Sequence, residues 1–124
     1  MVNRVGDFFL TSSEGYGLES PRACKRRARL GGRRGDDYLL VEIDPPLIGQ
    51  RFGRGAEDVN LLVLATRHAG QSLFPVSEWP LYVHVALARR DLTGAATVAE
   101  EDLQLIGWGE IYRTEEDAAA AAGP

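Results

Sequence analysis

One cysteine, one lysine, one methionine and two histidines are all that 124 residues offer to several familiar chemistries. A lone Cys24 rules out an internal disulfide and any zinc site built from several cysteines. Its neighbours Lys25, Arg26 and Arg27 favour the thiolate wherever the thiol meets solvent. The plainer reading is a small residue on a helix face, since no base lies nearby in the sequence. Long apolar runs are missing too; none reaches the roughly 18–20 residues of a membrane span. The opening Met1–Asp7 has neither the apolar segment nor the small-residue cleavage site of a secretory signal, so a cytosolic protein is expected.

Motifs with defined chemistry are equally scarce. Ser12, Ser13, Ser72 and Ser77 sit in no Gly-x-Ser-x-Gly elbow. The segment Gly49-Gln50-Arg51-Phe52-Gly53-Arg54-Gly55 could form an anion-binding nest, but it lacks the Gly-Lys-Ser/Thr of a phosphate loop and the dinucleotide fingerprint. A turn-rich connector is its simpler reading. The carboxylate pairs Asp36/Asp37 and Glu100/Glu101 are adjacent, so the two members of each project apart. No catalytic residue, metal ligand set or cofactor is assigned from the sequence.

What is present is the composition of a folded domain: 44% hydrophobic and 26% charged residues exclude a disordered chain. The length fits a single domain over residues 1–124. Arginine outnumbers lysine 13 to 1, the mark of a GC-rich bacterial genome as much as of function. Charge is uneven along the chain: residues 1–56 carry +3 and residues 57–124 carry −7, for a net −4. Such polarity suits electrostatic complementarity with a partner or a second copy. The overall acidity argues against a dedicated nucleic-acid binder.

Pattern reading gives an α+β, β-rich chain of about five mostly antiparallel strands, a small barrel or sheet, with two or three short helices. Residues 5–10 form a first short strand. Residues 11–36 read as a mobile, basic excursion. Within it, Ser20-Pro21 before and Gly31-Gly32 after a basic run carry helix start and stop signals. Residues 37–44 alternate as a strand that stops at Pro45-Pro46. Residues 59–66 are apolar on both sides and fit a central strand covered on both faces. Residues 81–87 place Leu81, Val83, Val85 and Leu87 inward and Tyr82, His84 and Ala86 outward. Thr97-Val98-Ala99-Glu100 has capping-box spacing for a short helix. In residues 104–112, Ile106, Trp108, Glu110 and Tyr112 share one face and Leu105, Gly107, Gly109 and Ile111 the other. The glycines suggest a bulge or a close backbone approach. Residues 114–124 read as a frayed C-terminal helix.

Two regions are candidate sites. The connector from Arg67 to Pro80, 14 residues long, is generous for neighbouring strands, and long loops often carry function. Arg67, His68, Glu78, Trp79 and the nearby His84 are its candidate residues; acid–base or ligand chemistry there competes with simple loop packing. The second is basic: seven cations lie between Arg22 and Arg34. Arg26, Arg27, Arg29, Arg33 and Arg34, with Arg51 and Arg54, are candidate anion-binding residues. No aromatics are interleaved for base stacking. The leading expectation is a non-catalytic protein-binding or accessory domain of a bacterial cytosolic protein, immunity- or antitoxin-like or homodimeric. Trp79, Tyr82, Trp108 and Tyr112 are expected either on its outer sheet face, as interface anchors, or covered by a helix or the long loops. A small enzyme or ligand-binding barrel using the 67–84 region and a nucleic-acid accessory protein using residues 22–34 are the alternatives.

Overall fold

Six strands follow one another in space as they do in sequence and close into a barrel. The computed structural model describes residues 6–12, 17–32, 37–51, 56–66 and 80–121. The strands are β1 (Phe8–Thr11), β2 (Arg22–Gly31), β3 (Asp37–Arg51), β4 (Ala56–Thr66), β5 (Leu81–Ala88) and β6 (Leu103–Tyr112). One α-helix among the described residues, α1 (Glu115–Ala121), follows β6. All neighbours pair antiparallel, and β1 joins β6 in the register Phe9↔Tyr112, Leu10↔Ile111, Thr11↔Glu110. The chain is therefore β-rich as expected, and the described residues hold six strands rather than five and one α-helix rather than two or three.

Alternation explains the closure. Side chains of period two put one face of every strand inside. Leu39, Val41 and Ile43 of β3 meet Leu62 and Leu64 of β4, Val83 and Val85 of β5, and Phe8 and Leu10 of β1 in one buried cluster. A barrel of so few strands has an interior that side chains fill. Leu18, from the β1–β2 link, is buried in the same cluster. Its carbonyl accepts the Ser12 N–H at 2.8 Å and the Thr11 hydroxyl at 2.9 Å.

The largest departure from the sequence pattern is β2. The helix signals at Ser20-Pro21 and Gly31 flank ten residues that are a barrel strand, inside the stretch expected as a basic excursion. A helix would have crowded Lys25, Arg26, Arg27 and Arg29 onto neighbouring turns, where like charges repel. The extended chain spreads them, leaves all four exposed, and buries Ala23, Cys24 and Leu30. Pro21 precedes the first strand residue and so withholds no ladder donor. The apolar inner face of β3 gains a partner, a tertiary demand that overrides local propensity.

Pro45-Pro46 does not end β3. The register with β4 moves from Glu42↔Leu61 to Leu47↔Val59, so Ile43 to Pro46 bulge opposite Asn60. Prolines are tolerated where the ladder is already interrupted. The strand β4 is covered on both sides, as its two apolar faces require: Leu62 and Leu64 lie inside, and Val63 lies in a second, outer cluster.

That outer cluster is made by the β5–β6 connection, residues 89–102, which straps the outside of the sheet. Its Leu92 and Val98 bury against Leu30, Leu40, Val63 and Ala86. Its backbone docks on β2, with the Gly31 N–H donating to the Ala96 carbonyl at 3.0 Å and the Val98 N–H to the Gly31 carbonyl at 2.9 Å. The expected capping box does not form: Thr97 bridges to Gly31, and only a 3-10 turn, Glu100–Asp102, is present, without a side-chain cap. At the strap's base Arg90 Nε lies 3.0 Å from an Asp102 carboxylate oxygen. Helix α1 packs on β1 and β6 through the buried Ala118, and the Asp117 N–H donates to the Thr114 hydroxyl at 3.1 Å.

Candidate binding face on strands β5 and β6

The strap covers only part of the barrel's outer surface, and β5 and β6 keep aromatic side chains beyond it. Cross-strand register sets their arrangement: Tyr82 opposes Glu110, and His84 opposes Trp108. The His84 and Trp108 rings meet nearly edge-on, with centroids 3.7 Å apart. Tyr112 follows two residues after Glu110, and its hydroxyl donates to the Glu110 carboxylate. Tyr82 is 48% exposed and Leu105 56%. Trp108 and Glu110 are half-buried, while Tyr112 is buried beside α1. Burial, followed by the neighbouring Glu110 carboxylate, pushes the Tyr112 hydroxyl above its ordinary value; Tyr82 and Asp117 add to this.

A bulge in β6 decides which apolar residue joins this face. The pairing passes from Val85↔Gly107 to Ala86↔Leu105, leaving Ile106 out of register. Ile106 consequently packs on the inner cluster and Leu105 turns outward, the reverse of strict alternation. Gly109 confirms the close approach that strand glycines imply. A Cβ there would lie 2.9 Å from Leu10 Cδ1 and 3.2 Å from the Thr11 carbonyl oxygen.

Among the sequence candidates of the connector, His84 stands in the middle of β5, half-buried against Trp108. Arg67, His68, Glu78 and Trp79 lie outside the described residues. The expected outer aromatics Tyr82, Trp108 and Tyr112 do share one outer face. The alternation of residues 104–112 puts Glu110 on that face and Leu105 opposite. Only the register could reveal that Leu105 turns outward.

Among the anion-binding candidates, Arg26, Arg27 and Arg29 are exposed on β2. Arg26 lies 5.9 Å from the centroid of the Phe8 ring and 3.9 Å from an Asp7 carboxylate oxygen, and Arg27 is 3.4 Å from Glu42. Arg33, Arg34 and Arg54 lie outside the described residues, as does the side chain of Arg51. Arg22 has a different task at the barrel's end. It donates to the carbonyls of Gly17, Pro45 and Pro46 at 2.8, 2.9 and 3.2 Å, tying β2 to β3 and to the β1–β2 link. Burial lowers its pKa, an effect that Glu19 and Asp44 oppose.

Cys24 is a core residue: it is fully buried, and burial pushes its thiol well above the ordinary value. Buried thiols of this kind are inert rather than nucleophilic. Among the described residues no three His, Cys, Asp or Glu side chains group to hold a metal ion, and no helix is long and apolar enough to cross a membrane. Comparison with family models, curated proteins and solved structures finds no match for this chain.

Proposed function

We propose that the chain is a non-catalytic protein-binding domain of a bacterial cytosolic protein, working through the outer face of β5 and β6. The observation that carries this reading is the exposure of Tyr82 and Leu105 on a sheet face that also holds Trp108 and Tyr112. Tyr and Trp are frequent anchors of protein interfaces. Among the described residues, the outer apolar cluster around Leu40 and Val63 already lies under the strap. The packed barrel interior favours surface recognition over enclosure of a small molecule. An immunity- or antitoxin-like factor and a homodimer are both forms of this proposal.

The test is a photo-crosslinking amino acid placed at position 82 in the source cell, with one at the exposed Thr93 on the strap as control. The expected result is a protein adduct from position 82 and none from position 93. A product at twice the 13.6 kDa chain mass identifies self-association. No adduct from position 82, or equal adducts from both, overturns the proposal.

Nucleic-acid contact through β2 is a second reading, supported by the exposed Lys25, Arg26, Arg27 and Arg29. Its signature is retention on single- or double-stranded DNA or RNA at about 50 mM salt that is lost by about 200 mM. Absence of retention at low salt removes it.

A further inference from the structure

We infer that the β5–β6 face recognises a cationic side chain, an arginine or lysine, presented by a different protein. The inference rests on the protein-binding reading above and names the chemistry of the partner's anchor. Its basis is one carboxylate ringed by three aromatic side chains. Glu110 has Tyr82 directly across the ladder, Trp108 two residues before it and Tyr112 two residues after it on the same face. Directly opposed residues of an antiparallel pair have Cβ atoms about 4.5–5.5 Å apart, and residues two apart on one strand are about 6.6 Å apart. A single guanidinium or ammonium group can therefore reach the carboxylate and at least one ring face together.

Each of these groups prefers positive charge. Ring faces carry the negative lobe of the aromatic quadrupole, and a carboxylate makes its strongest hydrogen bonds to cationic donors. The bond from the Tyr112 hydroxyl fixes the Glu110 carboxylate in place before any partner arrives. Half-burial of Glu110 reduces the screening that weakens fully exposed ion pairs. Tyr82 supplies exposed apolar surface on which the stem of a long basic side chain can lie.

The chain carries cations of its own on β2, but the topology directs them away from this face. In the closed strand order, β2 lies three places from β5 and two from β6, which carries Glu110, with β1 between. A contact between the β2 cations of one copy and the β5–β6 face of the next is head-to-tail, and such contacts give rings or filaments, not a closed dimer. The occupant of this face is accordingly taken as another protein, and a position-82 adduct at twice the chain mass overturns that choice.

The experiment is a titration of isotope-labelled protein with N-acetylargininamide, followed through the Trp108 indole N–H and the backbone amides of residues 82, 84, 108, 110 and 112. N-acetylcitrullinamide, which keeps the shape without the charge, is the control. The expected result is saturable shifts at these positions with a Kd of about 1–10 mM, as one ion pair and one ring contact would give. The citrulline compound leaves the signals unmoved. Glu110→Gln, which keeps an acceptor for Tyr112, weakens binding at least about tenfold, and Tyr82→Ala about threefold, with thermal melts confirming that both variants fold. No shift, equal shifts with citrulline, or full affinity in Glu110→Gln overturns the inference. If the arginine compound fails while position 82 still crosslinks to a protein, the cation chemistry falls and the protein-binding reading stands. Arginine binding without any crosslink has the opposite meaning.

Discussion

Gly109 and Cys24 show how closely single positions are held inside the barrel. Alanine at 109 would drive its methyl against Leu10, Val85 and the carbonyl of Thr11, and that carbonyl belongs to a paired strand that cannot retreat. Gly109→Ala is expected to cost about 1–3 kcal/mol in urea unfolding, the usual cost of overpacking. Gly6→Ala, with nothing within 4 Å of the added methyl, is expected to leave the midpoint within error. Cys24 gives a pH-dependent prediction. Its thiol keeps its proton in the folded barrel above the ordinary value of 9.0, while the unfolded chain loses it there. Unfolding then releases a proton, so stability falls as pH rises past about 9, by about 1.4 kcal/mol per pH unit. Urea melts at pH 8 and pH 10 should show this loss in the wild type and its absence in Cys24→Ala. Tyrosines, with an ordinary value of 10.0, contribute mainly above pH 10, so an equal loss in the variant would overturn the assignment to Cys24.

Two elements depart from their local sequence signals for the same physical reason. The segment 22–31 has helix-like ends, and residues 97–100 have a capping-box spacing, yet both are decided by what they pack against. β2 supplies the partner strand that β3 needs, and Thr97 is drawn into a bridge with Gly31 because Val98 and Leu92 bury on the outer sheet face. The strap is thus fastened by a few apolar anchors and two backbone bonds. Leu92→Ala is expected to cost about 2–4 kcal/mol, the usual range for a buried leucine. The accompanying sign is faster hydrogen exchange at the Gly31 amide, which donates to Ala96. If exchange at Gly31 is unchanged while global stability drops, the strap is not the unit that loosens.

At the scale of the whole molecule, closure depends on contacts between the ends of the chain. Phe9 pairs with Tyr112 and Leu10 with Ile111, so the last seam joins residues about a hundred positions apart. Forming it costs loop entropy before any contact repays it, which places such barrels among the slower-folding small domains. Refolding followed by tryptophan fluorescence is expected to take milliseconds to seconds. A microsecond phase carrying the full amplitude would contradict this account. Of the exposed cations, Lys25, Arg26, Arg27 and Arg29 lie on β2, Arg89 and Arg90 on the strap, and Arg113 between β6 and α1.

Much of this was legible in the residues themselves. The alternation in 37–44 and 81–87, and the two-sided apolarity of 59–66, report directly which strands are present and which of them is covered on both faces, because side-chain direction in a strand is fixed by its period of two. The same rule puts Tyr82 outward on β5 and Trp108 and Tyr112 on one face of β6, but does not say that Tyr112 is buried. Tertiary structure alone decided the rest. No local pattern says that a basic run prefers a strand, that Pro45-Pro46 can sit in a bulge, or that a bulge at Ile106 turns Leu105 to the surface, since each depends on a neighbour distant in sequence. The face on β5 and β6 shares this double origin: its residues are written in two alternating runs, and only the pairing Tyr82↔Glu110 and His84↔Trp108 makes them one surface.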